Sequence, residues 1–457
     1  LVIPGYTAMK NIKNNRHFFS SIMLALCLIQ SLFMSSVFIG SAFNDTHEKE
    51  ELLSTAMPKD EGFYRVKSED NSINVNMIGG LGFNSMAHYT SITDKDYYDT
   101  AKKLGYSAYW MEVSAAGGTA ISDIIVSNKY TLDRDKGISR VHGDDIGLLV
   151  ESGVLDNFKL NDKRTMNHNE LYKAVTKEDG FTFYYPKYEK NGKLLYTVNI
   201  EEEETLYFDI FDGISTSVDD DINRSVCIYV NGEILMEAYP EKKDNGIKNL
   251  GTFENTEVMI EVEILKELDR DKIEIAGLKT ADINKFKSHI SHVDHIGDYD
   301  NLEFKAVLDT ERDFFLSVPY YENMNIYVNG EEKQIEKVIG CFCKVQLEKG
   351  TNIVRASYIP KGLAPGIIIS VFSCLFVLFT FILHRYVDKN KTQVTAGIFH
   401  PELPEKRIIK PNYLFKIYNC IQSISEKINK AAYRLLCWVF FCIVAVIYIL
   451  PVAVYFL

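Results

Sequence analysis

Hydrophobic and polar residues alternate with a period of two along residues 313–366, and a long apolar run follows without a break. This alternation predicts β-strands, because successive side chains of a strand point to opposite faces of its sheet. Asn329-Gly330 predicts a type I′ hairpin turn, which requires positive φ at both central residues. Pro360 and Gly362 then end the strand pattern. We therefore expect a β-sheet domain that leads directly into a membrane helix.

Apolar runs long enough to cross a bilayer occur at 18–40, 366–383 and 435–457. About 20 apolar residues span the hydrocarbon core of a membrane. Lys and Arg are concentrated in 1–17 and 384–434, so the positive-inside rule places both of these segments in the cytoplasm. Residues 43–364 are then expected outside the membrane.

A secretory signal peptide is the alternative interpretation of the first apolar run. The apolar core of a signal peptide is only about 7–15 residues long, so the length of 18–40 favours a retained helix. In the basic segment 384–434, large aliphatic residues recur every three or four positions between Leu414 and Ile428. This spacing predicts an amphipathic helix at 412–434 that lies on the inner leaflet.

The outer region divides into three predicted parts. Residues 43–149 form a mixed α/β segment, in which 94–104 is expected to be a helix capped by Asp94 and stopped by Gly105. Short predicted strands separated by turn residues follow at 150–296. Strands of this length and spacing are typical of a β-sandwich module. A membrane-proximal β module occupies 297–364. The predicted fold class is an α+β membrane protein: an extracellular mixed α/β segment and tandem antiparallel β-sandwich modules, with three transmembrane helices.

A short sequence repeats within the β region. Ile228-Tyr-Val-Asn-Gly-Glu233 recurs as Ile326-Tyr-Val-Asn-Gly-Glu331, and a Gly-x-Phe follows each copy. Duplication of one sheet module is the simplest explanation. Independent use of a common hairpin sequence is the alternative.

Composition and charge exclude several classes of function. The hydrophobic fraction of 46% and aromatic fraction of 12% are too high for a mainly disordered chain. A net charge of −12 argues against nucleic acid as a partner, since nucleic-acid-binding surfaces need clustered Lys and Arg. The eight cysteines form neither a disulfide framework nor a paired CxxC zinc motif.

Few residues of the outer region are candidates for catalysis or metal binding. His289, His292, Asp294 and His295 would form a metal site if they converged on one helical face, but closely spaced histidines in a connector are more often solvated. We predict no metal site and no cofactor. No Ser-His-Asp or paired-carboxylate constellation stands out either, so we assign no catalytic residue.

Exposed aromatic pairs are the candidate contacts to a sugar. Tyr184, Tyr185, Tyr320 and Tyr321 would stack on sugar rings if they lie at the surface. Packing against neighbouring strands is the alternative for each of them.

Several motifs resemble those of a known family. They are Phe63-Tyr-Arg-Val66, Asn84-Ser85, Leu104-Gly-Tyr106, Gly117-Gly-Thr119, SDIIVSNKYTL at 122–132, SVPYYENMNIYVNGEE at 317–332 and GCFCKVQLEKGTNIVRASYIPKGLAPG at 340–366. In this order they resemble the YfhO family of bacterial multi-pass membrane proteins, over about residues 63–383. Members of that family often have Gly-Trp where Asn323-Met324 stands here, and Asp-Gly where Asn329-Gly330 stands.

The resemblance implies a polytopic protein of the GT-C type, a class similar to glycosyltransferases that use lipid-phosphate-linked sugars. YfhO-like members are linked to glycosylation of lipoteichoic acid or related polymers outside the membrane. GT-C enzymes carry their catalytic acidic residues in the first outer loop, and none of the matched positions belongs to that loop. We therefore expect the catalytic residues upstream of Leu1, and the chain, which does not begin with Met, to be the C-terminal part of a longer protein.

The expected function is assistance in transferring lipid-linked sugars to teichoic-acid-type polymers on the outer side of a bacterial plasma membrane. The expected partners are membrane lipid, a polyprenyl-phosphate sugar donor and a cell-wall polymer acceptor. A non-enzymatic, membrane-anchored extracellular binding protein is the alternative, since sheet modules on a membrane anchor serve that role equally well. A soluble enzyme is the weakest interpretation.

Overall fold

The computed structural model describes residues 29–34, 52, 60, 62–69, 73–90, 92–134, 136–210, 223–297, 302–360 and 362–396. The chain divides into a unit that ends at Tyr358, called the β-rich unit below, and a unit that begins at Ile359.

The β-rich unit begins with a mixed α/β segment. Its elements are β1 (Arg65–Ser68), α1 (Met77–Gly80), β2 (His88–Tyr89), α2 (Lys95–Lys103), β3 (Tyr106–Tyr109), β4 (Glu112–Gly117), α3 (Ala120–Ile125), β5 (Asn128–Asp133), β6 (Gly137–Arg140), β7 (Leu148–Glu151) and α4 (Arg164–Thr176). Strands β1, β5 and β6 form one three-stranded sheet, in which β1 and β5 are parallel, and β2, β4 and β3 form another. The prediction of a helix capped by Asp94 is confirmed, because its carboxylate accepts a hydrogen bond from the Tyr97 N–H at 3.0 Å.

Two stacked sheets form the first sandwich. Its elements are β8 (Phe181–Tyr184), β9 (Tyr188–Lys190), β10 (Lys193–Ile200), β11 (Glu204–Ile210), β12 (Val226–Val230), β13 (Glu233–Tyr239), β14 (Lys248–Phe253), β15 (Thr256–Ile264), β16 (Ile273–Lys279) and the following helix α5 (Thr280–His289). One sheet has the order β13-β12-β15-β10-β9 and the other the order β14-β11-β16-β8. Inward-facing residues of both sheets, such as Val198 and Phe208, share one core.

A second sandwich follows. Its elements are β17 (Ser291–His292), β18 (Asp294–His295), β19 (Leu302–Leu308), β20 (Arg312–Pro319), β21 (Met324–Val328), β22 (Glu331–Lys333), β23 (Glu336–Val338), β24 (Phe342–Leu347) and β25 (Gly350–Tyr358). Its sheets have the orders β22-β21-β25-β19-β18 and β23-β24-β20-β7-β17. The core between them includes Phe304 of the first sheet and Phe314 of the second.

The sheets that contain the repeated sequence have the same strand order in the two sandwiches. In each of these sheets the repeated hairpin lies at one edge, and β15, β10 and β9 of the first sheet occupy the positions of β25, β19 and β18 in the second. Asn231 and Gly232 of the first hairpin have φ values of 51° and 84°, and Asn329 and Gly330 of the second have 53° and 86°. The predicted turns are therefore present in both copies, and the common topology supports duplication of one module.

The mixed segment is joined to both sandwiches. Strand β7 pairs with β20 of the second sandwich, so the expected boundary between residues 149 and 150 falls inside a strand of that sandwich. A single core cluster also runs from the mixed segment through Tyr207 of the first sandwich and Phe315 of the second. Burial of this shared apolar surface stabilises the packing of the mixed segment against both sandwiches.

The unit that begins at Ile359 contains one described helix, α6 (Leu363–Ala396). Within the described residues, its stretch Leu363–Thr380 alone is long and apolar enough to cross a membrane. This stretch overlaps the predicted span at 366–383. The expected spans at 18–40 and 435–457 lie outside the described residues, apart from 29–34, which are helical. Within the part of the chain that it describes, the structure thus supports one of the three predicted membrane spans.

Candidate functional site

The four candidate tyrosines lie in two different sandwiches. Tyr184 ends β8 of the first sandwich, and its hydroxyl donates a hydrogen bond to Glu204 Oε1 at 2.8 Å. The neighbouring Tyr185 has 81% of its surface exposed. Tyr320 follows β20 and packs, half-buried, against the second core. The Tyr321 ring lies 5.3 Å from that of Tyr358. The structure therefore divides the four residues between two places, and three of them make packing or hydrogen-bond contacts.

The histidines that follow the first sandwich do not share a helical face, although His292, Asp294 and His295 line one pocket of about 780 Å³. His289 ends α5, and its Nδ1 lies 2.9 Å from the Lys285 carbonyl oxygen. His292 Nε2 is 3.7 Å from a carboxylate oxygen of Asp144. The His295 ring stacks on Phe63 at 5.0 Å. In the part of the chain that the structure describes, no three His, Cys, Asp or Glu residues are grouped so that they would hold a metal ion.

A cleft of about 430 Å³ opens where the mixed segment meets the first sandwich. We call it the aromatic cleft; it is lined by Ile73, Asn74, Val75, Asn76, Tyr89, Tyr109, Trp110, Glu112 and Lys243. Its walls come from the loop before α1, from the β2-β4-β3 sheet and from the loop after β13. Concave sites that combine aromatic rings with a few polar groups are typical of ligand binding.

Trp110 lies in the tight turn between β3 and β4, where Tyr109 pairs with Glu112. Its φ of 57° is rare for a bulky side chain. Trp110 nevertheless has 59% of its surface exposed, and the centre of its ring lies 6.4 Å from that of Tyr89. The hairpin turn accounts for this φ, and the exposed ring makes Trp110 a candidate ligand contact.

Asn76 fixes the position of Tyr89. Its side-chain Oδ1 accepts a hydrogen bond from the Tyr89 N–H at 2.9 Å, and its Nδ2 donates to the Tyr89 carbonyl oxygen at 3.3 Å. The Asn76 N–H in turn donates to Asn74 Oδ1 at 3.0 Å. The second ring of the cleft is therefore held through its backbone, and its side chain is left available to a ligand.

The far wall of the cleft comes from the first sandwich. Asn245, in the loop after β13, accepts a hydrogen bond from the Ala108 N–H at 3.1 Å and donates to the Ala108 carbonyl oxygen at 2.9 Å. This pairing attaches the loop to β3. It brings Lys243 to 2.8 Å from Glu112 Oε2, so the single lysine that lines the cleft is neutralised by a carboxylate.

A second polar cluster lies beneath the loop Gly117-Gly118-Thr119. Lys67 Nζ lies 2.8 Å from Asp123 Oδ2, and both side chains are buried. Asp123 Oδ1 accepts hydrogen bonds from Tyr106 and from Asn128 Nδ2, each at 3.0 Å. Burial, together with the Asp123 carboxylate, raises the pKa of Tyr106 well above its ordinary value. Because both oxygens of Asp123 are occupied, this cluster stabilises the fold rather than offering a general base.

Sequence reasoning missed the aromatic cleft. Its lining residues are dispersed from Ile73 to Lys243, and tertiary contacts alone bring them together. One signal was present: of the two tryptophans in the chain, Trp110 is the one outside the apolar runs, and it lies in a polar environment of short strands.

Comparison with known proteins identifies a family for this chain. No curated protein matches the chain. A sequence model of one family, described as the bacterial membrane protein YfhO, matches residues 7–175 and 147–370 and so covers most of the chain. The motifs between Phe63 and Gly366 and the apolar helix that begins at Leu363 agree with this match. The chain therefore belongs to the YfhO family of bacterial membrane proteins.

Proposed function

We propose that this chain assists the transfer of lipid-linked sugars to a teichoic-acid-type cell-envelope polymer, and that its β-rich unit holds the acceptor outside the plasma membrane. The aromatic cleft is the observation that carries this proposal. Membership in a membrane protein family and the helix that follows the β-rich unit support it. The GT-C type of chemistry and the sidedness of the membrane rest on the family resemblance and on the positive-inside pattern.

The reaction has simple requirements. An acceptor hydroxyl oxygen attacks the anomeric carbon of the donor sugar, and the bond from that carbon to the phosphate oxygen breaks. The polyprenyl phosphate leaves with the electron pair, and a carboxylate base takes the hydroxyl proton. We assign that base to none of the described residues. The aromatic cleft would contribute by orienting the acceptor, because correct positioning lowers the entropic part of the barrier.

Two deeply buried carboxylates of the described chain are already committed to ion pairs. Asp123 is paired with Lys67, as described above. Asp209 is wholly buried, and it accepts hydrogen bonds from Nε and Nη2 of Arg164. Neither is available to deprotonate an acceptor. The proposal assigns acceptor positioning, and no catalytic step, to the described residues.

The proposal is tested by measuring the sugar content of the envelope polymer in the bacterium that makes this protein. We expect Trp110→Ala to lower the sugar content of the envelope polymer several-fold and Trp110→Phe to lower it less, because the smaller ring still stacks. Tyr185→Ala is the matched control, since that ring is also exposed but lies outside the cleft.

Other outcomes separate the alternatives. Unchanged glycosylation in Trp110→Ala, with the protein present at its normal level in the membrane, would contradict acceptor positioning by the cleft. Unchanged glycosylation after deletion of the whole gene would favour the non-enzymatic anchored binding protein. A loss of polymer glycosylation in Tyr185→Ala alone would indicate that the acceptor binds at the end of β8 instead.

A further inference from the structure

We infer that the aromatic cleft recognises neutral sugar rings of its ligand and does not recognise phosphate groups. This inference rests on the proposed function and narrows it, since a teichoic-acid-type polymer presents both anionic phosphates and neutral sugar substituents. The two kinds of group call for different sites. A phosphate needs an uncompensated cation or free N–H donors, whereas a pyranose needs an aromatic face and polar groups around its edge.

The charges of the cleft disfavour phosphate. Lys243 and Glu112 are its charged lining residues, and they lie 2.8 Å apart. An incoming phosphate would have to compete with Glu112 for the ammonium group or remain next to its negative charge. The net charge of the whole chain, −12, adds a repulsive background for a polyanion.

The rings of the cleft favour a sugar. One face of a pyranose carries C–H groups and is apolar, so it can stack on an exposed indole. Trp110 presents such a face with 59% of its surface accessible, and Tyr89 offers a second ring inclined at 39° to the first. Two neighbouring rings inclined in this way form one bent apolar surface, which suits two successive sugars of a bent chain.

The edge of the cleft carries hydrogen-bond donors and acceptors for the hydroxyl groups of a sugar. The carboxylate of Glu112 accepts hydrogen bonds, and the ammonium group of Lys243 donates them, with 61% of the lysine side chain exposed. Asn74 lies on the same wall, whereas the Asn76 amide is already hydrogen-bonded to the Tyr89 backbone. An ion pair is well suited to neutral polyols, because each hydroxyl both donates and accepts.

Binding to the full chain in nanodiscs of uncharged lipid tests the inference. The neutral probes are maltohexaose and chitohexaose, and the anionic probe is poly(glycerol phosphate). We expect at least one neutral probe to bind with an affinity that is insensitive to salt. Trp110→Ala should weaken that binding about 30-fold, as expected for the loss of an aromatic anchor. Tyr188→Ala, which removes an exposed ring of β9, should leave the affinity unchanged.

The anionic probe provides the opposite test. Each phosphate contact would lower the affinity about five- to eightfold for every tenfold rise in salt concentration. We expect the wild-type chain to show no such binding in the cleft, and Glu112→Gln, which frees Lys243, to gain it. Salt-dependent binding of poly(glycerol phosphate) that requires Lys243 in the wild-type chain would overturn the inference, while acceptor positioning would stand. Failure of both neutral probes to bind at millimolar concentration would also overturn it.

Discussion

Asn231 in the first sandwich and Asn329 in the second make the same contact. Each side-chain Oδ1 accepts a hydrogen bond at 2.9 Å from a backbone N–H of the neighbouring strand, that of Met259 in one case and Ile353 in the other. Each backbone N–H donates to the carbonyl oxygen of that same partner residue, at 2.7 Å and 2.8 Å. The turn of the hairpin is thus bonded to the central strand of its sheet by the corresponding residue in both copies.

We expect Asn329→Ala to lower the free energy of unfolding by about 1–2 kcal/mol, since it removes a hydrogen bond and places Ala at positive φ. Asn329→Gly should cost less, because glycine tolerates that φ. The same ranking is expected at Asn231. Thermal unfolding of the purified chain checks both. Equal effects of Ala and Gly would show that backbone conformation contributes nothing at this position.

Lys344 of β24 joins the mixed segment to the second sandwich. Its buried ammonium group contacts Asp156 and lies 3.0 Å from carboxylate oxygens of Asp313 and Glu336. Burial opposes the charge, but hydrogen bonds to the three carboxylates raise the pKa of Lys344.

We expect Lys344→Met to cost about 3–5 kcal/mol of stability, since it leaves Asp313 buried without its cation. Lys337→Met is the matched control: its ion pair with Asp96 is exposed and should contribute less than about 1 kcal/mol. Denaturant unfolding of the two variants makes the comparison. A loss at Lys344 no larger than that at Lys337 would contradict a structural role for the buried cluster.

His168 of α4 makes stability depend on pH. It is wholly buried, its Nδ1 lies 2.9 Å from Thr119 Oγ1, and burial lowers its pKa from 6.5 to about 3. Between these two values the unfolded chain binds a proton that the folded chain does not. Stability is therefore expected to fall as the pH falls from 6.5 towards 3, by about 2 kcal/mol at pH 5.

Replacing His168 with Gln isolates this contribution. The variant should be less stable at pH 7.5 but should show a weaker decrease between pH 6.5 and pH 5 than the wild-type chain. Unfolding midpoints measured across this range provide the check. Parallel pH profiles for the two proteins would assign the acid sensitivity to other groups.

Local signals in the sequence predicted local structure well. The helix capped by Asp94 and the hairpin turn at Asn329-Gly330 depend on residues a few positions apart, and both are present. The pairing of β7 with β20 was not predicted, because it joins residues about 160 positions apart through a shared core. The aromatic cleft was missed for the same reason: Asn76, Trp110 and Lys243 meet only after the mixed segment has packed on the first sandwich.

The binding of a sugar against Trp110 is the central claim, and the fluorescence of that indole tests it most directly. Trp438→Phe removes the second tryptophan of the chain and leaves Trp110 as the sole indole. Titration of this variant in nanodiscs with maltohexaose or chitohexaose is predicted to give a saturable blue shift, since a stacked sugar excludes water from the ring. An emission spectrum that does not change up to millimolar concentrations of both sugars would contradict the account.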